Sequence, residues 1–340
     1  MRKSEVIVSS HRNNMSDGLI EVDPSVLNTD GTDYETAGYE TSTQSLTSSV
    51  NQYVFENGRR YHAYYGIDKN VMPTDEIEQD RLDLHHESML QMLKGDLYKA
   101  PLEEPTRILD VGTGTGIWAI DMADKFPAAE VIGIDLSPIQ PRWVPPNCRF
   151  ETDDAEQEWT YDPNSFDFIH LRNIALSISN WPFLLSQVFK CLKPGSWIEH
   201  CELGLVVYSD DGSVPDDYAA KVCMQLISEA MNKIGRPPCT QESITQQLKD
   251  AGFVDVQAYT YKQPMGPWPK DPRLKRIGAM SLLGGETGYA AYGLAPMTRI
   301  LGMDPAQAER ICAEAFASVK NKNQHAYSHY YVAFGRKPLE

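Results

Sequence analysis

Apolar positions along the chain change period several times, and each change marks an element. After a start signal at Pro73-Thr74-Asp75-Glu76, residues Ile77, Leu82, Leu84, Met89, Leu90 and Leu93 recur at roughly helical spacing. That spacing predicts one helix over 74–94, ending near Gly95, with Pro101 and Pro105 as punctuation. Short apolar runs then alternate with helical stretches. Strands are expected at 107–111, 130–134, 149–152, 166–171 and 197–203. Helices are expected at 117–125 and 183–191, the second leading into a Lys193-Pro194-Gly195 turn. A β-α-β-α rhythm implies a parallel, doubly wound sheet, because each crossover helix must return the chain to the same sheet edge. Further on, 216–234 and 241–251 read as helices, Gly252 breaks the second, and 253–261 alternates like a strand. A linker rich in proline (Pro264, Pro267, Pro269, Pro272) introduces a mostly helical stretch. Its clearest member is 304–320, with Asp304 as N-cap and Pro305 at the first helical position. A final strand is expected over 326–334.

Residues 1–50 break this texture. Fifteen of them are Ser or Thr, only Arg2, Lys3 and Arg12 are basic, and the aromatics are Tyr34 and Tyr39. Such a segment buries too little apolar surface to offset its ordering entropy, so a largely disordered acidic tail is expected. Its hydroxyls also make it a candidate for phosphorylation and for contact with a regulatory protein partner.

Composition narrows the function. Of 340 residues 41% are hydrophobic, enough for a sizeable core, and 31 Lys+Arg against 47 Asp+Glu give a formal charge of −16. A pI near 4.9 argues against nucleic acid as partner and against charge-driven docking on an anionic membrane. No apolar run approaches the ~18 residues of a membrane span. The opening residues contain no apolar core of a secretory signal. Six single cysteines without a Cys-x-x-Cys pair suit neither a disulfide framework nor a zinc site, and no metal is expected. A cytoplasmic protein follows from these readings.

The chemistry concentrates in Asp110-Val-Gly112-Thr113-Gly114-Thr-Gly116, between an expected strand and an expected helix. Glycines there let the backbone turn sharply and approach a ligand, while the helix start offers free N–H groups. A dinucleotide fingerprint would need glycine where Ile117 stands, and no Gly-Lys-Ser/Thr follows for a phosphate loop. The pattern instead resembles the first motif of class I S-adenosylmethionine-dependent methyltransferases. The resemblance implies a Rossmann-like seven-stranded sheet whose last strand is antiparallel and lies between the fifth and sixth. It also implies roles for particular residues. Asp135, nineteen residues past Gly116, with Leu136 beside it, would meet the ribose, and Asp154-Ala155 the adenine. Arg172 and Asn173 would line the methionine end. Apart from the resemblance, Tyr64 in the Tyr61, Tyr64, Tyr65 patch suits either a cap whose ring face attracts the sulfonium or core packing. Asp110, Gly112, Thr113, Gly114 and Gly116 complete the expected cofactor set.

A closer resemblance, to fungal LaeA-like methyltransferases, rests on several further stretches. These are Glu56-Asn-Gly-Arg-Arg-Tyr-His, Trp118 after the glycine loop, Asp154-Ala155-Glu156 with Trp159, and Lys193-Pro-Gly-Ser-Trp-Ile-Glu199. It runs from about residue 53 to the C-terminus. That family includes a global regulator of secondary metabolism and many cluster-encoded tailoring enzymes. The implied organisation is a tail (1–50), a helical cap (51–104), a cofactor-binding core (105–262), a helical insertion forming acceptor pocket or lid (263–325) and a closing strand (326–340).

Methyl transfer from a sulfonium is an in-line displacement with a good leaving group, so alignment and exclusion of water matter more than a triad. The products expected are S-adenosylhomocysteine and a small metabolite methylated on O, N or S. The rival expectation is a nuclear regulator acting through protein partners. His200 and Glu202 on the fifth strand are the candidate catalytic pair; His85 and His86 on the cap helix are further candidates, and His170 reads as structural. Arg81 suits either the cofactor carboxylate or an intrahelical pair with Glu78. Met280, Leu282, Leu283, Tyr289, Tyr292 and Met297 suit either an acceptor pocket or a satellite core.

Overall fold

The computed structural model describes Glu21, residues 53–63, 65–66 and 69–340. The Ser/Thr-rich tail (apart from Glu21) and Tyr64 lie outside the described residues. The first element is a hairpin, β1 (Tyr53–Glu56) and β2 (Arg59–His62), turned by Asn57 and Gly58 at φ 50° and 71°. An Asn-Gly pair with both residues at positive φ is the two-residue turn whose twist matches a hairpin. Helix α1 (Glu76–Met92) follows, its N-cap Asp75 accepting the Glu78 amide.

A seven-stranded sheet forms the body. Its strands are β3 (Arg107–Val111), β4 (Glu130–Asp135), β5 (Cys148–Thr152), β6 (Phe166–Arg172), β7 (Leu192–Leu203), β8 (Val254–Pro264) and β9 (Tyr327–Arg336). They lie in the order β5-β4-β3-β6-β7-β9-β8; the first five are parallel, and β9 runs antiparallel to both β7 and β8. This is the order and strand sense expected for the methyltransferase sheet. Alternation within each strand divides the core. Leu109, Val111, Ile132 and Ile134 pack with helix α3 (Trp181–Cys191) and helix α5 (Gln241–Asp250), while Ile108, Val131 and Phe168 pack with helix α2 (Ile117–Lys125).

A separate cluster joins helix α4 (Ala219–Lys233), helix α6 (Pro272–Ala295) and helix α7 (Pro305–Val319). Leu282 and Met297 are buried in it. Helix α6 runs unbroken through Gly284, Gly285 and Gly288, where helix propensity alone favours a break. Packing against α1 and α7 outweighs that cost. A π-helical turn (Pro296–Ile300) follows and carries Arg299 to Glu56 at 2.7 Å, joining this layer to the hairpin. Among the described residues, no helix is long and apolar enough to cross a membrane.

Candidate functional site

The glycine loop is shaped from beneath by buried residues of the sheet and of helix α2. Asp110 is buried, accepts the Thr113 hydroxyl at 2.6 Å and accepts His170 Nδ1–H at 2.8 Å. The His170 ring in turn stacks on Trp118, centroids 3.7 Å apart and planes 8° from parallel. Asp110 thus ties the loop to the sheet, and His170 is structural. Gly116 caps α2 at φ 82°, and a Cβ there would stand 2.2 Å from the Phe150 ring. Gly112 has φ 71°, and a Cβ would meet Ile174 at 2.4 Å. Only glycine satisfies both the left-handed backbone and the space.

Gly112, Thr113 and Gly114 line a cleft at the C-terminal edge of the parallel strands, the edge where doubly wound sheets bind ligands. Asp135 and Leu136 stand on its wall, as do Asp154, Ala155, Arg172 and Asn173. Each oxygen of Asp135 accepts one amide, from Gly114 and Ser137, both at 2.9 Å, which leaves lone pairs open toward the cleft. Burial pushes the Asp135 carboxyl up to about 6 in spite of these bonds. Asp154 is paired with Lys69 at 2.9 Å, a partner that no sequence pattern singled out. Helix α1 closes the cleft from above. Its Asp83 accepts the Thr115 hydroxyl at 2.6 Å, and its Glu78, Leu82 and His85 line the wall.

Arg172 and Asn173, expected at the methionine end, are held by histidines of the cap. Arg172 Nη1 donates to His86 Nδ1 at 3.0 Å, so the His86 proton is on Nε2, which donates to Asp121 at 2.9 Å. Burial holds His86 below the ordinary histidine range, which keeps it neutral. Asn173 sits in the left-handed region at φ 55°, and its Oδ1 accepts the Leu203 amide at 3.0 Å. Its other amide end is therefore the NH₂, which donates to His85 Nε2 at 3.1 Å. That leaves the His85 proton on Nδ1. Burial, then the Arg81 and Arg172 charges, press its pKa well down, so His85 is a neutral imidazole.

A second cavity opens on the far side of His85 and Tyr292, which line both. Met280 and Tyr289 of α6 contribute to it, as the alternative of an acceptor pocket had it, whereas Leu282, Leu283 and Met297 do not. Arg81 forms the intrahelical pair, bidentate with Glu78 at 2.8 and 2.6 Å, on the wall of this second cavity.

The catalytic roles expected for His200 and Glu202 do not survive the geometry. Neither lines either cavity, and both are buried. Glu202 Oε1 accepts the Ile174 and Ala175 amides at 2.9 Å and His200 Nε2 at 3.0 Å, and the His200 ring packs on Trp181. The pair braces the segment behind the cleft wall. Glu202→Gln is expected to lower unfolding stability by about 1–2 kcal/mol through loss of charge-assisted hydrogen bonds. Chemical denaturation checks this; unchanged stability with lost turnover would restore a catalytic role. Of the aromatic patch, Tyr64 lies outside the described residues and the other two tyrosines part company. Tyr61 is buried beneath Arg299, 4.4 Å from its ring, and Tyr65 donates to the Thr152 carbonyl at 3.3 Å.

Parallel-sheet order, glycine loop and strand-end aspartate together define a class I S-adenosylmethionine-dependent methyltransferase. The comparisons carry this to a family. A family described as "Methyltransferase domain" matches residues 84–258. The chain is 40% identical over 301 residues to methyltransferase pytC of Aspergillus terreus, covering 88% of this chain and 92% of that one. It is 39% identical over 298 residues to the secondary metabolism regulator LAE1 of Cochliobolus heterostrophus, covering 85% and 96%. To the secondary metabolism regulator laeA of Aspergillus flavus it is 35% identical over 302 residues, covering 87% and 81%. The chain belongs to this methyltransferase family, among its LaeA-like secondary-metabolism members, and its cofactor is S-adenosylmethionine.

Proposed function

We propose that the first cleft binds S-adenosylmethionine and that the second cavity takes a small metabolite, methylated at an atom presented between His85 and Tyr292. The observation that carries this is the meeting of two cavities at those two residues. Three features of the cleft fit the cofactor. Asp135 keeps lone pairs for ribose hydroxyls, and the buried Ser137 hydroxyl beside it has no partner among the described residues. Among the described lining residues, Glu78, Asp135, Asp153, Asp154 and Glu156 face only Lys69 and Arg172 as cations, which suits a sulfonium. Arg172 and Asn173 supply N–H donors at the end where a carboxylate would lie. When bound, the cofactor supplies an electrophilic methyl group with a neutral leaving group.

The protein's part is to align, to exclude water and to receive a proton where the acceptor loses one. His85 is neutral and carries its lone pair on Nε2, so at the junction it is the proton-accepting group nearest to hand. The bond from Asn173 fixes its ring. The acceptor enters from the side of α6, and the enzyme works in the cytoplasm. Two relatives bear the name of regulator, which favours a protein acceptor as the second reading.

Radiolabelled cofactor, incubated with full-length protein and a fungal metabolite extract, separates the two. Label is expected in small molecules soluble in organic solvent. Label confined to acid-precipitated protein would overturn the metabolite reading in favour of the regulator.

A further inference from the structure

The second cavity holds chemistry that cofactor binding leaves unused. Two residues of its wall each carry a buried polar atom with no hydrogen-bonding partner among the described residues: Gln263 Oε1, at the C-terminal edge of β8, and Ser88 Oγ, on α1. Gln263 is 7% exposed and Ser88 2% exposed, so bulk water does not satisfy them. Native proteins seldom bury an acceptor unpaired, because it forfeits its hydration without replacement. The Gln263 amide is oriented from its other end, where Nε2 donates to Ser281 Oγ at 3.1 Å. Its carbonyl oxygen is thus an acceptor waiting for a donor.

The rest of the wall says what carries that donor. Arg81 is the cation on it among the described residues, and its charge is already matched by the Glu78 carboxylate, to which it donates two hydrogen bonds. Its guanidinium also lies 5.0 Å from the Tyr292 ring centre. Among the described residues, no carboxylate lines the cavity. A charged ligand would lose its hydration against a wall that offers no free counter-ion. The apolar surface comes from residues such as Met265, Met280 and Tyr289. Gly284 and Gly288 keep α6 bare where Arg81 and Leu84 side chains come within 3.4–3.9 Å of the position a Cβ would take. Beside this close helix contact the cavity keeps a volume of about 120 Å³, room for a ring system.

We infer that this pocket selects a neutral, largely apolar, ring-sized acceptor bearing a hydroxyl or N–H that donates to Gln263 Oε1, with Ser88 Oγ as a second polar contact. The inference rests on the reading that the first cleft holds the cofactor. Gln263 and Ser88 are its specificity determinants.

The test uses full-length protein saturated with S-adenosylhomocysteine and three probes of one size: 2-naphthol, 2-methoxynaphthalene and 2-naphthoate. Dissociation constants are read by ligand-observed NMR titration. 2-Naphthol is expected to bind about tenfold tighter than 2-methoxynaphthalene, the worth of one hydrogen bond to a buried acceptor, with 2-naphthoate weakest. Gln263→Leu is expected to erase the preference for 2-naphthol, and Gln263→Glu, which keeps an acceptor, to retain it. Both variants are checked by thermal melting and by their affinity for S-adenosylhomocysteine, which should stay within twofold of the wild type. Equal binding of naphthol and methoxynaphthalene, a preference that survives Gln263→Leu, tighter binding of naphthoate, or no binding of any probe overturns the inference. Failure of S-adenosylhomocysteine itself to bind would instead overturn the cofactor reading, and the same titration reports it separately.

Discussion

Asp135→Ala is expected to weaken binding of S-adenosylmethionine and S-adenosylhomocysteine by about 10–100-fold, from the ~1.5–3 kcal/mol of hydrogen bonds made to a charged group. The carboxylate is held in place before any ligand arrives. The Gly114 and Ser137 amides grip one oxygen each, so its remaining lone pairs are already directed into the cleft. Little ordering remains to be done on binding, which is why the loss should be large for a single side chain. A pH signature accompanies it. Burial places the Asp135 carboxyl near 6, so at pH 7 it is charged and at pH 5 mostly protonated. Cofactor affinity in the wild type should therefore decline as pH falls through 6, and in Asp135→Asn it should stay level over the same range. Calorimetric titration between pH 5 and 7.5 measures both. Unchanged affinity in a folded Asp135→Ala variant would remove the ribose assignment, and a level wild-type profile would show that the carboxyl does not titrate there.

Much of this site was legible because its residues sit at punctuation points. Asp110 and Asp135 end apolar runs, and the glycines between them interrupt two periodic elements, so their register follows from counting along the chain. Lys69 and Gln263 were not legible in this way. Lys69 reaches Asp154 across 85 positions of sequence, and Gln263 meets Ser281 through the docking of α6 on β8. Neither pairing leaves a local signal. The Asn57-Gly58 turn does leave one, but strands of four residues on either side are too short to show a clear alternation. Misreading His200 and Glu202 has another cause. Strand position put them at the correct edge of the sheet, but period-2 alternation leaves open which face meets the ligand. Both turn toward Trp181 and the Ile174 amide, behind the cleft wall.

The opposite face of the same strand carries a larger consequence for stability. Glu199 is fully buried, and its Oε2 accepts the Lys99 and Ala100 amides at 2.7 Å, fastening the segment after α1 to the sheet. Its Oε1 accepts the Cys201 thiol at 3.6 Å, and burial with the nearby Glu199 charge pushes that thiol well up, so Cys201 stays protonated. Burial raises the Glu199 carboxyl from 4.5 to about 7, against the pull of the two amides. An acid whose pKa is raised by folding binds more protons in the native state than in the unfolded chain between those two values. Its contribution to stability is thus full below pH 4.5 and is lost as pH rises through 7. A shift of about 2.5 units corresponds to about 3 kcal/mol. The histidines oppose this in the raw profile, since His86 and His170 are held low by burial and lose stability on acidification. The difference between variant and wild type isolates the glutamate. In Glu199→Gln the amide oxygen can keep both backbone donors while the titration disappears. The variant is expected to match the wild type near pH 4.5 and to exceed it by about 3 kcal/mol above pH 7, measured by chemical denaturation at fixed temperature. A difference that stays level from pH 4.5 to 8 would mean that Glu199 ionises as readily in the folded protein as in the unfolded chain.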